Sequence, residues 1–161
     1  AAILQEGAKI LSDAPHTAFE NGKDRLPENL RRRAEHYYGE VERVHKGVHA
    51  WRESNLELFG QLMNQSCESS IRNYESGSPI LIELSELVSS TDGVYGSRFS
   101  GGGYGGCVVA LTDKDAAESA CAAIAEKFSL RHPELPSQVF VAEMGDEISL
   151  LPAEESIGAE L

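Results

Sequence analysis

Seven of the 15 glycines lie between Gly93 and Gly106. A plain hairpin needs only one or two, so the excess points to a ligand or to a tight tertiary contact. Glycine lets a second backbone or a phosphate come close, and successive N–H groups in such a loop can form an anion-binding concavity. Arg98 precedes the run. It could balance phosphate charge or pair with a carboxylate such as Asp92, since a guanidinium suits either forked partner. His45 and His49 stand at i, i+4 with Glu42 one turn earlier, a spacing that could hold a metal. No third ligand is evident, and the plainer reading is a solvated helix face. Arg31, Arg32 and Arg33 are consecutive and fan across a wide arc of a helix, which favours ion pairing on a solvated face over an anion site. His36-Tyr37-Tyr38 reads as a packed aromatic edge. Cys67, Cys107 and Cys121 are odd in number and show no C-x-x-C spacing. They are expected to be small buried hydrophobes in a reducing compartment, neither a zinc site nor a disulfide framework.

The glycine run excludes several phosphate-binding designs. Gly101-x-Gly103-x-x-Gly106 satisfies the dinucleotide fingerprint, but that pattern must open a helix. Here Cys-Val-Val-Ala-Leu follows, which is a strand. The strand-loop-strand setting fits the protein-kinase glycine loop better, yet the chain has no H-R-D or D-F-G. It also has no G-K-[ST], so it is not a P-loop.

The elements that must carry this loop can be read from periodicity. Ala1–Ser12 puts Ile3, Leu4, Ala8 and Leu11 on one helical face. A loop with Pro15, Asn21-Gly22 and Pro27 follows. Asp24–Trp51 reads as a long helix with Pro27 in its first turn. Ser54-x-x-Glu57 is a capping box for the next helix, which carries Leu58, Phe59, Leu62, Met63, Ser66 and Ile71 on one side. Ser78-Pro79 caps a further helix. After Gly93 the period changes to strands at Val94–Phe99 and Cys107–Leu111, then a helix at Asp113–Phe128. Two more strands are expected at Gln138–Ala142 and Glu147–Leu151. Helices followed by this β-loop-β-α-β-β order predict an α+β fold, a layer of helices on a small antiparallel sheet, over a single domain 1–161.

Composition bounds the partners. The chain has 161 residues, 41% hydrophobic and 25% charged, with net charge −12. Residues 1–53 balance to zero, so the whole −12 falls on residues 54–161. Nucleic acid and anionic membrane are poor partners for such a chain. No apolar run approaches the roughly 18–20 residues needed to span a bilayer.

The longer string Gly93–Leu111, GVYGSRFSGGGYGGCVVAL, resembles the third signature motif of the GHMP sugar and small-molecule kinases, most closely the galactokinase branch. Leu30–Val44 is similar to that family's long helix, and SNLELFGQLMNQSCESSIRNYE to its next one. Where galactokinases carry Val-Ser-x-Pro-Glu-Leu-Asp, this chain reads ESGSPILIEL from Glu75 to Leu84, which looks closer to galacturonokinase. The resemblance implies a ferredoxin-like C-terminal domain whose loop Ser100, Gly101, Gly102, Gly103, Tyr104, Gly105 and Gly106 lines the active site. Tyr104 would anchor that loop by packing, with its hydroxyl at a wet edge. AAILQEGAKIL resembles the segment just after the family's hinge, so the catalytic aspartate and the serine/glycine ATP loop are expected in an N-terminal domain outside this chain.

The implied function is transfer of the ATP γ-phosphoryl group, with Mg2+, to the anomeric hydroxyl of a hexose or hexuronic acid in the cytoplasm. No residue of this chain is expected to be the catalytic base, and the chain alone is expected to be inactive. Arg98 and Arg72 are the cations available to an acidic sugar. The rival reading is a stand-alone ligand-binding or dimerisation module of the same fold, without chemistry of its own.

Overall fold

The structure is a computed structural model that describes residues 1–142. Two 3-10 turns, Leu11–Asp13 and Lys23–Arg25, flank helix α1 (His16–Gly22). Then come α2 (Glu28–Arg52), α3 (Leu56–Tyr74), α4 (Pro79–Ser89), β1 (Val94–Ser100), β2 (Cys107–Thr112) and α5 (Ala117–Arg131).

Residues 1–12 do not form the expected helix. Gly7 sits at φ +79°, a left-handed value that interrupts a right-handed helix. Leu4 and Ala8 are nonetheless buried, while Ile3 is 47% exposed. They pack with Ala14, Phe19, Ala34 and Tyr38. The expected loop at 13–23 contains α1 instead, held because Phe19 stacks on Tyr38 with ring centroids 4.9 Å apart. Pro27 is the cap of α2 and precedes its first turn.

The capping box at Ser54 is a second correction. Ser54 takes φ +56° to turn the chain out of α2, and its N–H donates to Trp51 O at 3.0 Å. Asn55 then caps α3, its side chain accepting from Leu58 N–H at 3.0 Å. Ser78 behaves as expected: its hydroxyl accepts from Leu81 N–H at 3.3 Å, and Pro79 fills the first helical position. Helix α5 begins four residues later than expected. Asp113 is spent on other bonds, its N–H to Gly93 O at 2.8 Å and its carboxylate to Asp115 N–H at 2.9 Å.

β1 and β2 pair antiparallel, with Ser100 opposite Cys107 and Phe99 opposite Val108. α3 lies across β1 at very close range. A Cβ on Gly96 would overlap the Gly60 carbonyl, and one on Gly60 would overlap the Tyr95 backbone. Asn64 Oδ1 accepts the Ser97 N–H at 2.8 Å, and the Ser97 hydroxyl donates to Ser85 O at 3.3 Å. Cys67, Leu81 and Phe99 form one core between α3, α4 and β1. Leu87, Val88, Ile124 and Phe128 join α4 to α5.

Gln138–Ala142 is not a strand. Val139 packs on the α4–α5 core while Phe140 is 73% exposed. Glu147–Leu151 lies outside the described residues. The sheet among the described residues therefore has two strands, β1 and β2. Cys67 is buried as expected, but Cys121 is half-buried and Cys107 exposed at the loop's exit.

Candidate functional site

The glycine loop, residues 101–106, joins β1 to β2 and is exposed except at Gly103. Its glycines have two different jobs. Gly103 is structural: φ is +80°, and a Cβ there would sit 2.8 Å from Phe99 Cδ2 and 3.0 Å from Gly77. Its carbonyl accepts the Ser78 N–H at 2.7 Å. Gly102 is different. Its φ is not in the left-handed region, and the nearest atom to a Cβ is Tyr104 Cδ2 at 3.8 Å. Nothing in the fold demands glycine at 102. The N–H groups of Gly102 and Gly105 find no acceptor among the described residues, which leaves them free to meet an anion.

Tyr104 anchors the loop, though not by packing. Its ring is 73% exposed, and the anchor is its hydroxyl, which donates to Glu75 O at 3.0 Å. Glu75 is the residue that sequence reasoning missed. It caps α3 in the left-handed conformation, φ +57°. Its carboxylate receives Arg32 and Arg33 from α2, the latter at 2.6 Å. Those hydrogen bonds, Arg33's foremost, hold the Glu75 carboxyl below the ordinary carboxylate value. The arginine triplet thus divides. Arg31 pairs with Glu28 at 2.6 Å and Glu35 at 2.7 Å along its own helix. Arg32 and Arg33 reach across to Glu75, with Arg33 also donating to Asn73 O and lying 5.1 Å above the Tyr74 ring. The partners are more than 40 residues apart in the chain, so no local spacing rule finds them.

Arg98 does not pair with Asp92. Its Nη1 lies 3.9 Å from Glu40 Oε2, and its Nε donates to Phe99 O at 3.3 Å. Burial pushes the Glu40 carboxyl up, but the Ser66 hydroxyl at 2.8 Å and Arg43 at 2.6 Å outweigh it and leave the group below its ordinary value. Arg98 and Glu40 line an open groove of about 620 Å³ together with Val44, Val48, Trp51, Phe59, Leu62 and Met63. Arg72 is exposed and pairs with Glu68 at 2.8 Å.

The histidines lie elsewhere. His36 Nδ1 is 2.9 Å from Ser69 Oγ, and its ring tilts against Tyr74. Burial lowers its pKa. Tyr38 is buried, its hydroxyl donating to Ala14 O at 2.9 Å, so His36-Tyr37-Tyr38 is a packed edge. Glu42 is taken by Lys46 at 2.7 Å, and His49 faces Glu53 at 3.6 Å.

Comparison with known proteins places these features in a lineage. Residues 48–130 match the family described as GHMP kinases C terminal. The chain is 40% identical to the galacturonokinase of Arabidopsis thaliana over 91% of its own length and 39% of that protein's. It is 36% identical to the galactokinase of Homo sapiens over 76% of its own length and 31% of that protein's. Among solved structures, Lactococcus lactis galactokinase complexed with galactose superposes with a TM-score of 0.70 at 29% identity, covering 78% of this chain and 33% of that one. The chain thus spans under two fifths of the length of these relatives. With the matched segment running from the end of α2 to the end of α5, and so through the glycine loop, the chain belongs to the GHMP kinases by way of their C-terminal domain.

Proposed function

We propose that this chain is the C-terminal domain of a cytoplasmic, ATP-dependent sugar-1-kinase of galacturonokinase or galactokinase type. The observation that carries the reading is the loop. It is exposed, firmly seated at Gly103, and unobstructed at Gly102, in a chain 40% identical to a galacturonokinase.

Phosphoryl transfer asks a protein mainly for positioning and charge stabilisation. The free N–H groups of Gly102 and Gly105 fit phosphate or sugar oxygens, and the glycine surface lets them come close. ATP, when bound, supplies the γ-phosphoryl group. Mg2+ would accompany ATP, held largely by the phosphate oxygens and by one or two carboxylates of the N-terminal domain. The base that takes the anomeric hydroxyl proton would come from the N-terminal domain. Arg98 would contact an anion through the part of its guanidinium that Glu40 leaves open. No helix among the described residues is long and apolar enough to cross a membrane.

The test is an assay of the complete protein encoded by the reading frame that contains this chain. With ATP and Mg2+ it should convert galacturonate or galactose to the sugar 1-phosphate. The isolated 161-residue chain should show no turnover. Turnover by the purified chain at about 1–1000 per second would overturn the division of labour. Sugar binding by the complete protein without product would favour the binding-module reading.

A further inference from the structure

The glycine loop is seated on a turn, residues 75–78, and that turn is itself tied to α2. Glu75 stands at the junction and is used at both ends. Its carbonyl accepts the Tyr104 hydroxyl at 3.0 Å. Its carboxylate is shared between Arg32 and Arg33. Two residues on, Gly77 touches Gly103, and Ser78 N–H holds the Gly103 carbonyl at 2.7 Å. Such a residue is unusual in the left-handed region, because a side chain there is strained. A glycine would cap α3 without that strain. Glutamate at this position therefore has a use that the turn alone does not explain, and the arginine pair is the use the structure shows.

We propose that Glu75 is a positioning residue: with Arg32 and Arg33 it clamps the 75–78 turn to α2, and through Tyr104 and Gly103 holds the glycine loop ready to receive its anionic ligand. The proposal rests on the reading of that loop as part of a kinase cleft. The ion pairs are partly exposed, with Glu75 58% and the arginines 29% and 31% exposed. Pairs of this kind add little to global stability. Their effect is local, on how often the loop tip is docked. A loop docked for a smaller fraction of the time weakens apparent ligand affinity by that fraction.

The experiment uses the complete protein with Glu75→Gln, Glu75→Gly, Tyr104→Phe and the double variant Glu75→Gln/Tyr104→Phe. Glu75→Gly keeps the carbonyl and suits the left-handed backbone, so it removes the carboxylate without disturbing the cap. Hydrogen exchange of the Ser78 amide, which is protected only while it donates to the Gly103 carbonyl, is followed by mass spectrometry, alongside kcat and KM for ATP. The clamp predicts amide exchange at least tenfold faster in all variants, KM for ATP raised about five- to tenfold and kcat within twofold. The double variant should be within twofold of the worse single one, because both changes break one chain of contacts. Unchanged exchange overturns the clamp. Faster exchange with unchanged KM overturns the positioning role. Effects that multiply in the double variant show two independent contacts and overturn the link through Glu75. If the unaltered complete protein has no sugar-kinase turnover, it is the kinase reading that fails, and the exchange measurement alone decides the clamp.

Discussion

A valine at Gly102 and a valine at Gly103 should fail in different ways. Position 102 has space for a side chain and no left-handed φ, whereas position 103 has no space and sits at φ +80°. Gly102→Val in the complete protein should leave the melting temperature within a few degrees. It should lower kcat/KM at least tenfold, about 1.4 kcal/mol of transition-state stabilisation, because the side chain stands where a ligand must approach. Gly103→Val should unseat the loop from Phe99 and Gly77 and lower both activity and melting temperature. Thermal unfolding of both variants, set beside their steady-state kinetics, separates the outcomes. Normal kinetics in Gly102→Val would show the tip to be an ordinary exposed turn. The adjacent glycines look alike in sequence because glycine is needed both where φ is positive and where a ligand comes near, and the type of residue does not say which.

At the level of elements, the contact between α3 and β1 decides how far the loop reaches. In an exposed helix, Gly60→Ala would stabilise by about 1 kcal/mol through helix propensity. Here the added methyl meets the Tyr95 backbone, which cannot give way as a flexible side chain could. The sign should reverse, to a loss of about 1–3 kcal/mol, or roughly 3–10 °C in melting temperature for a chain of this size. A Gly60→Ala variant that melts higher than the parent would show that the helix can rise off the strand. The same contact explains how Ser97 comes to bond Asn64: without a Cβ at 60 or 96, α3 settles low enough for the Asn64 side chain to accept the Ser97 N–H, while the Ser97 hydroxyl donates to the Ser85 carbonyl of α4.

Across the whole molecule, α2 links the N-terminal cluster to α3. Its first half carries Ala34 and Tyr38 into the N-terminal cluster, and its second half buries Gly47 beside Phe59 of α3. Pulling α2 away would expose both the N-terminal cluster and the face of α3 on which α2 packs. Residues 1–161 should therefore melt in one cooperative transition, with calorimetry and circular dichroism giving the same midpoint. Two well-separated transitions would show that residues 1–26 and their seat on α2 unfold as a separate unit.

The amino-acid sequence by itself determined the long helices, the β-loop-β order and the place of the glycine loop between its two strands. Periodic burial and glycine content are local properties, and the likeness of residues 93–111 to a family motif supplied the kinship that glycine content alone left open. The sequence also marked the Ser78 cap, since serine followed by proline satisfies a helix start within four residues. Tertiary structure alone decided the rest. Residues 1–12 have a helical stripe, but a left-handed Gly7 and burial against α2 outweigh it. Ser54 and Asn55 are both good caps, and the turn out of α2 chose between them. Arg98 could have met any carboxylate; the packing of both α2 and β1 on α3 gave it Glu40. Glu75 carries no local signal at all, because its partners lie 42 and 43 residues away. A charge pair at that separation is fixed by where two helices cross, and the crossing is set by side-chain packing that no short stretch of sequence contains.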